Sequence, residues 1–528
     1  MRRRYAVIAF IAFSVLSPAP AMAARVLRVG SYHGVRGQFR TIQAAVNAAK
    51  PGDWVLVGPG DYKTSSGRAP AGKADTPAGI LITTAHVHLR GMDRNRTVID
   101  GTKSGPKCSS SESDQNLGPS DPGGKGPLGL NGVLVYKAND VWVQNLTACN
   151  FLHGAGSTGN ELWWNGGDGS GQVGGWGFYG SNLNATTTYF KDEATAAQYG
   201  IFSSNWSGGT WDNTYASNFN DSDYYIGACQ QVCNQTVNHA WAQYSALGYS
   251  GSNSGGQLVV ENSQFDHNQD GFDTNSQNGD NPPPQDGACP NGGTSQITHT
   301  HSCWVFVHNY VHDNNNPNIP SAGSAAAGPV GTGMSLSGAR NDTVMGNRFV
   351  NNGAWGVIIV PYPDSGDPCT GGTQSGAACL YNDYGDAVLN NTFTNNGSFG
   401  NPTNGDIGWV SGEPGPTPCF AGNTDTGGPL TSAPPNIEQK YPTCDGHTVP
   451  TDPQSAQFTA EVLCDSQISL AAGAQPPCGP NDRYPRRDHV GMPGLPPAKQ
   501  LPTMKNACAG VPGNPWCPGK KQKKHRPR

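Results

Sequence analysis

The sequence predicts an all-β chain wound into a repetitive, coiled solenoid, and three observations lead there. A six-residue phrase returns at Asn309-Tyr-Val-His-Asp-Asn314, Asn347-Arg-Phe-Val-Asn-Asn352 and Asn391-Thr-Phe-Thr-Asn-Asn396, with looser copies at 145–150, 217–222 and 263–268. The third residues of the last five copies, Phe219, Phe265, Val311, Phe349 and Phe393, are 46, 46, 38 and 44 residues apart, near twice a coil of roughly 22 residues. Composition agrees: 72 Gly and 42 Pro in 528 residues, 13% charged residues and no long helical apolar stripe describe a turn-dense β chain.

Each copy sets an apolar residue on a short strand ahead of an Asn-rich corner. Asn suits the corner because it tolerates the left-handed conformation and bonds its own backbone. Corners stacked about 4.8 Å apart let these amides bond one another in ladders. The pattern therefore predicts roughly ten coils over about residues 50–410, with the five apolar residues pointing inward in register.

The elements follow in order. Residues 1–23 read as a secretory signal, with Arg2, Arg3 and Arg4, an apolar run over 5–16 and the small-residue site Ala21-Met22-Ala23, so the mature chain is expected to begin near Ala24. Residues 41–49 place Ile42, Ala45, Val46 and Ala49 on one helical face, stopped by Pro51-Gly52; this helix is expected to cap the open end of the stack. Strand-like runs follow at 54–57, 79–82, 87–89 and 98–99, then a Ser/Gly/Pro-rich loop at 102–127. From 131 to about 410 the coil pattern continues, interrupted by a Gly/Trp/Tyr-rich stretch at 163–249 and by loops at 282–293, 317–333 and 361–378. The expected organisation is signal 1–23, coil domain 24–412, a Pro/Cys-rich irregular tail at 413–519 lying against the coil body, and a basic end at 520–528.

All 14 cysteines lie beyond the signal, an even number in an oxidising compartment, and most form sequence-near couples such as Cys229/Cys233, Cys289/Cys303, Cys369/Cys379 and Cys419/Cys444. They read as disulfide staples; no CxxC pair supports a zinc site. The formal charge is −5, and the basic end carries six Lys and Arg, so the body is more acidic than the total and nucleic acid is not expected as a partner. Past the signal no apolar run approaches the roughly 18 residues needed to span a bilayer. The product is expected to be secreted, without a transmembrane segment, and a monomer.

The segment Thr41-Ile-Gln-Ala-Ala-Val-Asn-Ala-Ala-Lys-Pro-Gly-Asp-Trp-Val-Leu-Val-Gly-Pro-Gly-Asp-Tyr62, followed by the Asn-x-Phe-x-x-Asn coils, resembles secreted right-handed parallel β-helix proteins of the pectin-lyase-like group. The resemblance spans about residues 40–410. It implies three short parallel sheets wound into a rod, an exposed groove along one of them, and an extracellular polysaccharide as partner. The chemistry stays open, because the group hosts lyases, hydrolases, epimerases and non-catalytic surface proteins.

The densest polar cluster is Asp266-His-Asn268-Gln-Asp270-Gly271-Phe-Asp273-Thr-Asn-Ser-Gln277. Asp266, Asn268, Asp270 and Gly271 match a calcium-loop spacing, with Gln277 where a bidentate Glu is usual, so Asp266, Asn268, Asp270, Gln277 and the Phe272 carbonyl are candidate calcium ligands. The run 268–273 also resembles the Asn-Thr-Asp-Gly-x-Asp segment of polygalacturonase-type hydrolases, although the Gly-His-Gly, Arg-Ile-Lys and Asp-Asp motifs of that family are missing. A third reading makes it an Asx-rich corner. Asp270 and Asp273 are the candidate catalytic carboxylates, with His267 as proton shuttle. Asp221, Asp223, Asp364, Asp367, Asp383, Asp386 and Asp406 are further, undifferentiated acids. Trp163, Trp164, Trp176, Trp206, Trp211 and Trp241, interleaved with tyrosines, are candidate sugar platforms or internal stacking. The expected function is polysaccharide binding with calcium-assisted, lyase-like cleavage; the alternatives are a non-catalytic glycan-binding or adhesive rod and a polygalacturonase-like hydrolase.

Overall fold

A computed structural model describes residues 24–519, apart from 65–66, 230–231, 280–283, 321–323, 366–367, 377, 412–414, 445–454, 469–474 and 487–500. The signal and the basic end lie outside the described residues.

The chain is a right-handed parallel β-helix. Two of its faces belong to one hydrogen-bonded sheet of 19 strands, and the third is a sheet of 11 strands; both pair in parallel. Four nine-residue strands, Val141–Cys149, Phe178–Thr186, Gly209–Ser217 and Gln235–Gln243, cross the corner between the first two faces without breaking. Each carries one left-handed residue at the bend, Asn145, Asn182, Asn213 or His239. Later coils split there into separate strands such as Leu258–Glu261 and Gln264–Asp266. We refer to these two faces as the first and second, and to the 11-stranded sheet as the third.

Helix α1 (Ile42–Ala48) starts at Thr41, whose hydroxyl accepts from the Ala44 amide, and buries Ile42, Ala45 and Val46 over the open end of the stack. The Gln43 side chain accepts from the Leu81 amide, tying the helix to the edge strand Ala78–Ile82 of the third sheet.

The expected inward stack forms for four of its five members. Phe265, Val311, Phe349 and Phe393 are adjacent in register and fully buried, and the Phe349 and Phe393 rings stack 5.3 Å apart. Phe219 is buried elsewhere: the same row continues from Phe265 through Ala242, Ala216, Ala185 and Ala148. Asn218 takes the left-handed corner, so Phe219 falls just after it. The loose copies at 217–222 and 145–150 are therefore out of phase with the repeat. The alanines follow from volume. In these coils Trp164, Trp206 and Trp211 enter the core from other faces, and interiors pack to constant density.

That exchange also corrects the reading of 163–249 as an interruption. The stretch is regular coil, with strands of six to nine residues across it.

Two asparagine ladders run along the corners. Asn309, Asn347 and Asn391 each donate through Nδ2 to the next amide oxygen at 3.0–3.2 Å, and Asn423 ends the row by donating to the Glu438 carboxylate at 2.9 Å. The second ladder joins Asn268, Asn314, Asn352 and Asn396, the last donating to Asp406. Each amide also bonds backbone groups, for instance Asn314 Nδ2 to the Phe265 carbonyl, so the buried polar atoms are satisfied.

Strand pairing continues past residue 412, where the sequence suggested an end, with Cys419–Ala421, Thr424–Asp425 and Ser432–Ala433 adding to the sheets. Short α2 (Ile437–Lys440) and α3 (Ser455–Asp465) follow. The tail lies against the body at two places. Helix α3 and Tyr484 pack on the third sheet at its C-terminal end. Residues 501–517 return to the first coils, where Arg90 donates to the carbonyls of Ala507 and Ala509 and Trp516 Nε1 to that of Val35. All 14 cysteines pair as seven disulfides, including the four couples legible in the sequence; the others are Cys108–Cys149, Cys464–Cys478 and Cys508–Cys517. No helix of the described residues is long and apolar enough to cross a membrane.

Candidate active site

Strand alternation sends every second residue of the third sheet outward, and register turns those residues into a row: Leu134, Trp163, Phe202, Tyr225, Ser250, Asp273, Ser335, Ile358 and Gly408. Its character changes along the rod. The first coils present aromatic rings, with Trp163 stacked on Phe202 at 4.9 Å and Tyr225 edge-on to Phe202. The middle coils present hydroxyls and a carboxyl. The last coils are apolar and lie beneath α3.

A cavity of about 820 Å³ opens over the middle coils, large enough for a ligand of sugar dimensions. Its floor is Ser250, Ser252, Asp273, Asn275, Ser335 and Ser337; Tyr199, Asp221 and Tyr225 stand at one end, and α3 at the other. The sides are the loop Ala325–Pro329 and the segment Pro361–Pro363 with Tyr362. The second side belongs to a small antiparallel sheet, Tyr362–Ser365, Thr373–Ser375 and Ala378–Tyr381, stapled by Cys369–Cys379.

Three acids define the electrostatics. Asp221, half-buried at the cavity wall, accepts from the Tyr199 hydroxyl at 3.0 Å. Burial, assisted by the charge of Asp273 and opposed by bonds from Tyr199 and Ser222, pushes its pKa up to about 7. Asp273 is also raised by burial, but three donors favour its anion: Ser335 and Ser337 Oγ at 2.7 and 2.8 Å and Asn275 Nδ2 at 2.6 Å. Asp270 lies fully buried behind it, and burial with the charge of Asp273 puts it well above the carboxylate range. Ser335 Oγ is 2.9 Å from Asp270 Oδ2 and 2.7 Å from Asp273 Oδ1. One hydroxyl proton cannot serve two ionised acceptors. Ser335 Oγ therefore bridges the two carboxyls, and burial favours the protonated form of Asp270, the more strongly raised of the pair. Burial raises Tyr362 as well, with Asp273, Asp364 and Asp221 adding to the shift.

The structure brings together only part of the expected site. Asp273 lines the cavity and Asp270 supports it from behind. His267 does not join them: it projects from the second face, its Nδ1 2.6 Å from Asp266 Oδ2. Asp266 accepts there from Trp241 Nε1, Gln264 Nε2 and Gln243 Nε2. Burial pushes Asp266 up, but the bonds from His267, Gln243 and Trp241 outweigh it and hold it below the carboxylate range. Asn268 is spent in the ladder, its oxygen accepting from the Ser245 amide. Gln277 lines the cavity on the other side of that corner. Asp266, Asn268, Asp270 and Gln277 thus diverge around the corner rather than forming one calcium cage, and no step is assigned to a metal. The two carboxylate–cysteine clusters, Asp100 with Cys108 and Cys149 and Asp482 with Cys464 and Cys478, have their thiols bonded in disulfides.

The tryptophans are redistributed too. Trp164, Trp206 and Trp211 belong to the core and offer no face to a ligand. Trp163 is buried beneath neighbouring rings in the outward row, Trp241 serves Asp266, and Trp176 is exposed at a loop pair away from the cavity lining. Asp221 was one undifferentiated acid in the sequence, and Tyr362 carried no signal. Aligning Asp221–Ser222 with Ala246–Leu247 and Gln269–Asp270 as successive coils is what singles Asp221 out.

No protein-family model matches the chain, and no curated protein matches it. Among solved structures, the A-module of the Azotobacter vinelandii mannuronan C-5 epimerase AlgE6 is similar at a TM-score of 0.43 and 13% identity, covering 73% of this chain and 94% of that one. The pectate lyase Pel9A is similar at a TM-score of 0.34 and 12% identity, covering 78% and 82%. For the pectin methylesterase PemA from Erwinia chrysanthemi the values are 0.30, 12%, 71% and 90%. The fold assignment rests on the strand pairing described above.

Proposed function

We propose that this is a secreted protein that binds an extracellular polysaccharide on the outer face of the third sheet and hydrolyses its glycosidic bonds. One observation carries the reading: two carboxyls in unequal surroundings share a single cavity, Asp221 with its pKa near neutrality and Asp273 ringed by three donors that favour its anion. Environments that split the roles of two acids are what acid–base cleavage of a glycosidic bond needs. Asp221 gives its proton to the bridging oxygen as the bond from that oxygen to the anomeric carbon breaks. A water oxygen bonds to the anomeric carbon, and the water proton passes to Asp273. The Asp270–Ser335 pair orients Asp273, and the Tyr199, Tyr225 and Tyr362 rings offer apolar faces with polar edges to sugar rings.

Calcium-assisted elimination has less support. No Lys or Arg stands among the described residues lining the cavity, and the proposed calcium ligands diverge. A non-catalytic glycan binder shares the same surface and differs in turnover alone. The seven disulfides agree with an oxidising, extracellular destination.

The test is a panel of plant, algal and bacterial polysaccharides incubated with the mature protein, with and without calcium. Hydrolysis releases saturated reducing ends, and Asp273→Asn abolishes their release while binding persists. Unsaturated, ultraviolet-absorbing ends would replace this reading with elimination. Binding without products would leave a glycan-binding rod.

A further inference from the structure

We infer that the cavity is a blind pocket that receives the end of a polysaccharide chain, so that the protein acts from chain termini and not at internal bonds. This rests on the glycan-active reading above.

The third sheet runs the length of the rod, and a chain laid along it would cross the acids and continue over the last coils. It cannot continue, because α3 occupies those coils. Phe458 sits on Gly408 so closely that a Cβ there would lie 2.4 Å from its ring, and its ring meets Trp355 edge-on at 5.7 Å. Glu461 accepts from the Thr403 amide and hydroxyl at 3.0 and 2.6 Å, and Cys464–Cys478 pins the helix end to the segment leading to Tyr484. Burial of Phe458, a pair of hydrogen bonds to a carboxylate and a covalent link make this a fixed wall.

The sides are held as firmly. Gln269 Nε2 donates to the Gly328 carbonyl on one side, and the disulfide-stapled sheet carries Tyr362 on the other. Among the described residues, only toward the N-terminal coils does the outward row leave the cavity, over the half-buried rings of Tyr199 and Tyr225. Asp221 stands at that mouth and Asp273 on the floor between mouth and wall. A terminal unit, or a few, fits between the acids and α3, while the rest of the polymer leads out over the tyrosines.

The experiment takes whichever polysaccharide the panel identifies and prepares samples of equal mass and decreasing chain length. With tenfold more ends at equal mass, the initial rate is expected to rise about tenfold, with short products from the outset and little early loss of viscosity. If the polymer binds without being cleaved, half-saturation should follow the number of ends in the same way. Ala460→Trp, at a half-buried position on the cavity side of α3, fills the closed end. It should lower turnover or binding by at least about tenfold while leaving the unfolding midpoint unchanged. Rates that follow mass regardless of length, with a rapid viscosity fall and broad products, would overturn the inference and leave the glycan-active reading standing. So would an Ala460→Trp protein that folds and performs as wild type. Neither binding nor products on any polymer would remove the glycan-active reading itself, and this one with it.

Discussion

Asp266 and Asp273 sit seven residues apart in one coil yet occupy opposite electrostatic worlds. On the second face Asp266 is saturated by Trp241, Gln243, Gln264 and His267 and is held below the carboxylate range. On the third face Asp273, with Asp221 and Asp270, is desolvated at or behind a cavity wall, and all three are raised. The second-face carboxylate spends its charge on structure. On the third face burial favours the protonated forms of Asp221 and Asp270, while the donors around Asp273 favour its anion. Residue type and spacing are shared, so what separates a scaffold carboxylate from a chemical one is the number of donors facing it against the water taken away.

The largest effect expected from breaking this contrast is on turnover. Asp273→Asn and Asp221→Asn should each lower hydrolysis by about 10²–10⁴-fold with binding kept, whereas Asp266→Asn should leave turnover nearly unchanged; equal losses in all three would erase the distinction. Next comes the ladder that divides the two faces. Asn314→Ala removes the acceptor of the Asn268 backbone and side-chain amides and the side-chain donor to the Phe265 carbonyl, while the Asn352 oxygen keeps the backbone amide of residue 314; it should cost about 3 kcal/mol in urea unfolding. The exposed Asn395 is left-handed, so Asn395→Gly, which keeps that conformation, should fall within about 0.5 kcal/mol.

The pH dependence of stability should differ in sign between the faces. Acids raised on folding stabilise fully below the ordinary carboxylate pKa and lose that contribution as pH rises through their folded values, about 7 for Asp221 and Asp383. Stability should therefore decline from pH 5 to 8, by about 1.4 kcal/mol per pH unit for each carboxyl titrating there. Asp270→Asn should flatten that decline. Asp266 is lowered, so its contribution is present above the ordinary carboxylate pKa and is lost as pH falls through its folded value. Asp266→Asn should thus destabilise most at neutral pH and least in acid. The smallest contrast is aromatic: Tyr225→Ala at the cavity mouth should weaken glycan binding about tenfold, and Trp176→Ala, 53% exposed and outside the lining, should change it little.

Much of the fold was legible because a coil repeats its own physics. Asn347, Asn352, Asn391 and Asn396 announce corners by type and spacing, the cysteine couples close short loops, and residues 41–49 carry a helix with its cap. Legibility failed where volume is exchanged between faces. Phe219 resembles Phe349 in its hexamer but lies out of phase, since Ala216 holds the row beside tryptophans arriving from elsewhere. The same exchange buries Trp164, Trp206 and Trp211, which composition alone presented as sugar platforms.

For the site, the sequence by itself determined that carboxyls crowd residues 266–273, that Asp270 stands where the later phrases carry Ala354 and Ser398, and that the chain coils. Only the tertiary structure decided which acids meet. A corner at Asn268 puts Asp266 on one face and Asp270 and Asp273 on another, coil stacking brings Asp221 to the cavity that Asp273 lines from some fifty residues away, and α3 closes its end. The physical reason is range. Repeats, caps and short disulfides arise from neighbours along the chain or one coil away, whereas desolvation and shared protons depend on which surfaces come to lie against each other once the whole rod and its tail have packed.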